Sequence, residues 1–226
     1  AEGEGEREGE GESAKLNPAS RLGRRSILSI GASSTHTAVS TISGEVFACG
    51  DNSEGAVDPF RCGDEPFKSI LSRPARLECL ETTRVIFVSC GLDHTAAVSA
   101  GGAVLTWGNN AYGQLGHRDG LPPPPPPPSA GDGKKEAPLP LSPPVGMRRR
   151  RRPAAMALGP GQCASSIACG GYFTLVLTDR MRILACGSDA GGGGNSEDGP
   201  PARLSPPSSL PALEGVPAMA VAAGLR

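Results

Sequence analysis

The feature that most constrains this chain of 226 residues is an internal repeat. Each copy reads as an apolar run, a Gly, a short turn, a second apolar run, a polar turn and a third run that ends in Gly. The three copies are residues 26–52, 85–110 and 165–189. Short apolar runs between tight turns are typical of β-strands. A unit of this size that recurs along a chain predicts stacked supersecondary units.

Spacing inside the copies supports this interpretation. The interval from Gly91 to Gly108 equals the interval from Gly170 to Gly187. The first copy, measured from Gly31, is longer, which predicts two extra residues just before His36. Upstream, Pro74 and Pro153 precede the turn Gly of the next copy by this same interval.

A fourth unit begins near the end of the chain. The four residues Pro74-Ala75-Arg76-Leu77 recur as Pro201-Ala202-Arg203-Leu204, and an apolar run that ends in Gly follows at 216–224. The distances between units vary, as expected when a repeated core is joined by surface loops. The repeats are therefore predicted within 21–226, at about 26–57, 74–117, 153–190 and 201–226.

The composition favours an all-β fold. The 32 Gly and 23 Pro indicate many turns and little helix. Nine strands are predicted, near residues 27–30, 35–41, 45–49, 85–90, 94–99, 103–107, 166–169, 173–178 and 182–186.

Two segments lack the apolar residues that folding requires. Residues 1–20 are predicted to be a disordered acidic leader of Glu and Gly, and 118–152 a low-complexity insert, with no regular structure over 118–150. The insert contains Pro122–Pro128, interpreted as a spacer, and Arg148–Arg152. The arginine run has two open interpretations: a localisation or nucleic-acid signal, or a solvated loop.

The second unit carries a specific motif. It contains Cys90-Gly91-Leu92-Asp93-His94-Thr95-Ala96, followed by Trp107-Gly108-Asn109-Asn110-Ala111-Tyr112-Gly113-Gln114-Leu115-Gly116. This pattern closely resembles the repeat of the regulator-of-chromosome-condensation family. The first unit keeps His36-Thr37, Gly50 and Asn52, and the third has Phe173 in the His position. The resemblance implies a β-propeller of four-stranded blades, here about three blades plus the start of a fourth. Because such rings have seven blades, the ring is expected to be incomplete and the chain to be part of a longer protein.

The repeated polar and sulfur-containing residues are interpreted as structural. His36 and His94 recur once per unit and are expected to cap a turn through a ring N–H, whereas His117 is a loop histidine with no visible partner. One repeat position holds Cys49, Trp107 and Cys186, and another holds Cys90 and Cys169; both are predicted to pack in the core. The Gly191–Gly194 run lacks the features of a phosphate-binding loop. No catalytic, cofactor-binding or metal residue is predicted.

The leading hypothesis is a non-catalytic scaffold whose loops bind a protein partner. The resemblance also permits a guanine-nucleotide exchange factor for a small nuclear GTPase, or the regulatory part of a larger enzyme such as a ubiquitin ligase or kinase. The net charge of −1 makes nucleic acid an unfavourable partner for the whole chain. No apolar run approaches membrane-spanning length and the acidic N-terminus is unlike a signal peptide, so an intracellular location, cytoplasmic or nuclear, is expected.

Overall fold

The structure is a computed structural model that describes residues 25–60, 70–117, 149–188 and 203–224, without the side chains of 149–152, 203–206 and 211. Twelve strands form three antiparallel four-stranded sheets, each with its strands in sequence order. We call the sheets blades 1, 2 and 3. The all-β propeller architecture expected from the repeat is confirmed.

The strands of blade 1 are β1 (Ile27–Ala32), β2 (His36–Thr41), β3 (Val46–Asp51) and β4 (Ile70–Arg76). The strands of blade 2 are β5 (Val85–Cys90), β6 (His94–Ser99), β7 (Val104–Asn109) and β8 (Arg149–Ala155). The strands of blade 3 are β9 (Ala164–Cys169), β10 (Phe173–Thr178), β11 (Ile183–Ser188) and β12 (Arg203–Ser209). Short 3-10 turns follow β4 at Glu78–Leu80 and β12 at Pro211–Leu213.

All nine predicted strands are present, but the fourth strand of each blade was not predicted. Each of these strands lies at the outer edge of its sheet and contains a proline, which has no N–H for a second neighbour and is tolerated at an edge. The prolines hid the strands from an analysis of apolar periodicity.

The structure corrects the prediction for the arginine run. Arg149–Arg152 belong to β8, where Arg149 is paired with Asn109 and Arg150 with Gly108. The prediction of no regular structure is therefore wrong at 149–150, and the solvated-loop interpretation is wrong for this part of the run. The leader, Arg148 and residues 118–148 lie outside the described residues.

Backbone hydrogen bonds show that the first copy has no extra residues. The N–H of Ser33 donates to the carbonyl of His36 over 2.9 Å, as Gly91 does to His94 and Gly170 to Phe173. Ser33, not Gly31, therefore holds the turn position. Measured from Ser33 to Gly50, the first copy has the same length as the other two.

The strand register of blade 3 also shows that a different proline holds the repeated proline position. Ala185 pairs with Ser208, just as Ala48 pairs with Ala75, so the proline equivalent to Pro74 is Pro207 rather than Pro201. The interval from Pro207 to Gly224 then matches the proline-to-glycine interval of the other units.

The blades stand side by side in an arc. Strand β1 lies beside β5, and β5 beside β9, so the first strands line the inner side. One apolar core joins blades 1 and 2 around Trp107, and a second joins blades 2 and 3 around Ile167. The described residues hold no sheet against the other side of blade 1, where Ile30 is 65% exposed although its equivalent, Val88, is 1% exposed.

The beginning of the next blade is already in place. The N–H of Ala218 donates to the carbonyl of Met181 over 2.8 Å. The same bond joins Val85 to Gly44 and Ala164 to Gly102, where it introduces the first strand of the following blade. Ala218 therefore occupies the position at which a first strand begins, in agreement with the start of a fourth unit, although residues 218–224 form no strand.

Candidate functional site

One end of the arc carries the most variable segments. The turns between first and second strands lie there, as do the connections between third and fourth strands. We call this end the loop face; its described residues are 33–35, 52–60, 91–93, 110–117 and 170–172. The connections differ in length whereas the strands do not, so differences in binding belong to this end.

A buried hydrogen-bond relay under the loop face joins blade 1 to blade 2. The Nε2 atom of His36 lies 2.8 Å from Oγ1 of Thr95, and this hydroxyl donates to the carbonyl of Ala56 over 2.7 Å. A hydroxyl has one hydrogen, so Thr95 accepts from the ring and His36 carries its proton on Nε2. Burial lowers the pKa of His36 to about 4, which keeps the ring neutral near pH 7.

The relay is repeated between blades 2 and 3. The Nε2 atom of His94 lies 3.0 Å from Oγ1 of Thr174, which donates to the carbonyl of Gln114 over 2.8 Å. Burial lowers the pKa of His94 to about 3. Both histidines therefore donate from Nε2 to the following blade, whereas the sequence suggested a ring N–H that caps their own turn. The own turn of His36 is contacted by the other ring nitrogen, Nδ1, which lies 3.0 Å from Oγ1 of Thr35. The chemistry of both histidines is that of neutral, structural donors.

Two asparagines shape the loops beside the relays. Oδ1 of Asn52 accepts from the N–H groups of Val57 and Asp58, and Oδ1 of Asn110 accepts from the N–H of Leu115. His117, for which the sequence showed no partner, has its Nε2 2.9 Å from Oγ1 of Thr106. These bonds hold the loop that begins the third-to-fourth-strand connection in blades 1 and 2.

Equivalent positions above the two relays carry different chemistry. Between blades 2 and 3, the rings of Tyr112 and Tyr172 pack against each other at a tilt of 47°, with centroids 4.7 Å apart. Between blades 1 and 2, the same positions hold Glu54 and Asp93: Glu54 stands two residues after Asn52 as Tyr112 does after Asn110. The carbonyls of Asp93 and Tyr172 accept equivalent bonds from the residues that end β7 and β11. The sequence analysis missed both pairs, because their partners come from different blades.

The position of Asp93 perturbs its carboxyl group. Burial raises the pKa of Asp93, and the negative charges of Glu54 and Asp51 raise it further. Nδ2 of Asn109 donates to Glu54 over 3.3 Å. Clustered carboxylates favour a partner that brings positive charge.

The other candidate groups are placed as follows. Trp107, Cys90, Cys169 and Cys186 are buried, as predicted, while Cys49 is half-buried on the side of blade 1 that no described sheet covers. Burial raises the pKa of Cys90 to about 12 and that of Cys169 to about 11, so neither thiol is a nucleophile. Gly191–Gly194 and Pro122–Pro128 lie outside the described residues.

Metal-binding groups and membrane-spanning helices can be assessed in residues 25–60, 70–117, 149–188 and 203–224. No group of three or more His, Cys, Asp or Glu side chains there is arranged to hold a metal ion. No helix in the same ranges combines the length and apolar character that crossing a membrane requires.

Comparison with curated proteins shows similarity over part of the chain. Human E3 ubiquitin-protein ligase HERC2 is 33% identical to this chain over 84 residues, which make up 37% of this chain and 2% of HERC2. The human probable E3 ubiquitin-protein ligase HERC4 is 36% identical over 90 residues, 40% of this chain and 8% of HERC4. The chain therefore spans less than a tenth of the length of these relatives.

Solved structures share the fold. Yeast RCC1 (Prp20) in its crystal structure with Kap60 superposes with a TM-score of 0.62 at 22% identity, over 89% of this chain and 40% of that chain. Human WBSCR16 superposes with a TM-score of 0.57 at 23% identity, over 84% of this chain and 39% of that chain.

Family models described as regulator of chromosome condensation (RCC1) repeat match the chain twice each. One matches residues 27–56 and 85–114, and the other matches 43–98 and 101–177. The window 43–98 runs from the third strand of blade 1 to the second strand of blade 2, so this unit of sequence spans two blades. The second model covers more than half of the chain, which therefore belongs to the regulator of chromosome condensation (RCC1) repeat family.

Proposed function

We propose that this chain is a non-catalytic scaffold that binds a protein partner on its loop face. The observation that carries the proposal is that Glu54 and Asp93 stand where the next interblade groove has a pair of packed tyrosine rings. Burial raises the pKa of Asp93, and the nearby charges of Glu54 and Asp51 raise it further; carboxyl groups perturbed in this way are typical of functional positions.

The chemistry of the loop face suggests the kind of partner surface. Glu54 and Asp93 both carry carboxylates that accept charge-assisted hydrogen bonds, and an arginine fork can bind both oxygens of a carboxylate. The tyrosine pair of the next groove offers apolar area together with hydroxyl groups, as interface anchors do. We therefore infer a partner that presents arginine or lysine beside an apolar side chain.

The scaffold is proposed to serve a larger protein inside the cell. The relatives HERC2 and HERC4 are many times longer than the matched region, which supports a regulatory or recognition role for the blades within a longer chain. The six described cysteines are free thiols, which fits the reducing cytoplasm or nucleus.

The test compares two double variants of the purified chain. Glu54→Gln with Asp93→Asn removes the loop-face charges, and the control, Glu78→Gln with Glu81→Gln, removes two exposed charges at the opposite end of the arc. Proteins captured from cell extract by the wild type are identified, purified and titrated against all three chains. The loop-face variant should lose about tenfold in affinity, which corresponds to about 1.4 kcal/mol, and the control should lose none. Equal affinity of all three chains would refute a loop-face site.

A second candidate function is nucleotide exchange on a small nuclear GTPase. It is favoured by structural likeness to yeast Prp20p, whose structure was described together with its binding to Gsp1p and histones. We expect no exchange from these blades, because an exchange surface would need several blades and an inserted wedge. Release of a fluorescent guanine nucleotide from the GTPase decides this. An acceleration that grows with chain concentration would favour exchange over the scaffold.

A further inference from the structure

A cavity of about 180 Å³ opens at the end of the arc opposite the loop face. It lies between the turn that joins β2 to β3 and the segment 80–84, which leads from β4 into blade 2. Its walls include the buried side chains of Val46, Leu77 and Leu80. A space of this size has room for several water molecules or for one small polar group.

The charged groups of this cavity are not required by the propeller repeat. Strand register makes Arg76 of blade 1 equivalent to Ala155 of blade 2. The residue directly before the first strand is Arg84 at the entry to blade 2 and Cys163 at the entry to blade 3. The next junction between blades therefore has no guanidinium group at either position, so the stacking of blades does not depend on them.

Arg84 is fixed beside the cavity by its backbone and by the stem of its side chain. Its carbonyl accepts from the N–H of Ala100 over 2.8 Å, and the N–H of the next residue, Val85, donates to Gly44 over 3.0 Å. A Cβ added to Gly44 would lie 2.5 Å from Cγ of Arg84, so the stem packs closely over this glycine. The guanidinium group of Arg84 is exposed and forms no hydrogen bond or ion pair with any described residue.

Arg76, Thr82 and Thr83 bring further donors to the same cavity. The N–H of Thr83 donates to the carbonyl of Leu80 over 2.9 Å, which closes the turn that carries both threonines. Within the described ranges, neither threonine hydroxyl has a hydrogen-bond partner. The donors therefore stand on a fixed backbone and are available to a ligand.

Two carboxylates also line the cavity, and they differ in how far they are neutralised. Glu45 is paired with Arg25 over 2.8 Å and with Arg76 over 3.1 Å. Glu81 is exposed and pairs with no residue in the part of the chain that the structure describes. Three arginines and two glutamates leave one positive charge in excess around the cavity, and Glu81 is the group that opposes an anion.

We propose that this cavity binds a phosphate group, with the guanidinium of Arg84 as its main donor and the hydroxyl groups of Thr82 and Thr83 as further donors. Guanidinium groups bind phosphate oxygens through charge-assisted hydrogen bonds. A phosphate group has more acceptor oxygens than a carboxylate and carries a charge of about −1.5 to −2 at pH 7, so it makes fuller use of these donors. The site lies at the other end of the arc from the loop face and does not depend on the scaffold proposal.

Chemical-shift titration of the full chain with inorganic phosphate, at constant ionic strength, tests the proposal through the amides of 82–84. Arg84→Gln removes the main donor, and Glu81→Gln removes the opposing carboxylate. The matched control is Arg182→Gln, which removes the same charge from an exposed turn of blade 3 at the same end of the arc but outside the cavity. All three side chains are exposed, so the variants are expected to fold.

The wild type should show saturable shifts at 82–84. Affinity for phosphate should fall about tenfold in Arg84→Gln, rise about threefold in Glu81→Gln and stay unchanged in Arg182→Gln. Equal losses in Arg84→Gln and Arg182→Gln would overturn the proposal, because attraction by net charge alone would then explain the binding. Shifts at 82–84 that do not saturate in the wild type would overturn it as well.

The same titration with the N-acetyl amide of phosphoserine distinguishes the source of the phosphate group. Binding tighter than that of inorganic phosphate would assign the cavity to a phosphorylated side chain. Equal or weaker binding would assign it to the free ion, and either result supports a phosphate site.

Discussion

At the scale of single residues, the threonines Thr95 and Thr174 hold the blades together. Each hydroxyl accepts from a histidine of the preceding blade and donates to a loop carbonyl of that blade. Both threonines are fully buried, so no water replaces a lost bond at low cost. The third unit shows that the histidine is not obligatory, since Phe173 takes its place.

Removal of the Thr174 hydroxyl is expected to be costly. Thr174→Val keeps the shape but leaves the Nε2–H of His94 without its acceptor, at about 1–3 kcal/mol. The carbonyl of Gln114 then keeps only the weak donor Sγ of Cys186, 3.3 Å away. Urea unfolding measures the loss. The control combines Thr174→Val with His94→Phe in one chain. This double variant should lose less stability than the two single variants lose together, because both remove the same hydrogen bond. Strict additivity would show that the relay carries no coupling.

The single tryptophan is the largest fully buried side chain. Trp107 donates from Nε1 to the carbonyl of Ala56 over 2.8 Å, which ties blade 2 to blade 1. We expect Trp107→Ala to reduce the free energy of unfolding by about 3–5 kcal/mol. Cys186→Ala, at the equivalent position of blade 3, removes far less volume and should cost about 1 kcal/mol. A loss below about 1 kcal/mol for Trp107→Ala would contradict its role in the core.

At the scale of elements, the turn between second and third strands shows how closely neighbouring blades approach. In blades 1 and 2 this turn holds Gly44 and Gly102, both with positive φ. A Cβ on Gly102 would lie 2.5 Å from Cβ of Cys163, at the entry to the next blade. In blade 3 the position holds Met181, the one described residue other than glycine with positive φ, at 58°.

Met181→Gly is therefore expected to stabilise the chain. The left-handed conformation costs about 1–2 kcal/mol for a residue with a side chain, and glycine avoids this cost. Glycine also loses more conformational entropy on folding, which offsets about 0.5–1 kcal/mol of the gain. A net gain of about 0.5–1 kcal/mol should appear in urea unfolding. Met181→Leu serves as the control and should change little. A loss of stability on Met181→Gly would mean that the half-exposed methionine side chain contributes more than the backbone conformation costs.

At the scale of the whole arc, the two relays make stability depend on pH. The folded pKa values of His36 and His94, about 4 and 3, lie below the ordinary value of 6.5. The unfolded chain therefore binds more protons below pH 6.5 than the folded chain. Stability is full above that pH and falls as the solution is acidified towards the folded pKa values.

We expect a loss of about 1.4 kcal/mol per pH unit for each of the two histidines across this window. Urea midpoints between about pH 7 and pH 5 measure the slope. His94→Phe removes one titrating ring and should roughly halve the contribution of the relays. An unchanged slope in this variant would show that other groups cause the acid sensitivity.

The strand content could be predicted because its signals are local. Equal spacing of turn residues, and apolar runs between them, located nine of the strands. The fourth strands escaped because prolines and arginines interrupt the apolar pattern, and an edge strand pairs on one side only. The first turn was misplaced for a related reason: Ser33 holds a position that glycine holds in the other copies, and only the bond to His36 reveals it.

By itself, the sequence determined the repeat, the first three strands of each unit and the burial of Trp107, Cys90, Cys169 and Cys186, because these depend on spacing along one chain. The tertiary structure decided what lies between the blades. The bonds from His36 to Thr95 and from His94 to Thr174 join residues 59 and 80 positions apart. The pairing of Glu54 with Asp93, opposite the packed tyrosines, likewise arises only when separate loops are brought to one groove. Contacts of this range are set by how sheets stack, which no local pattern contains.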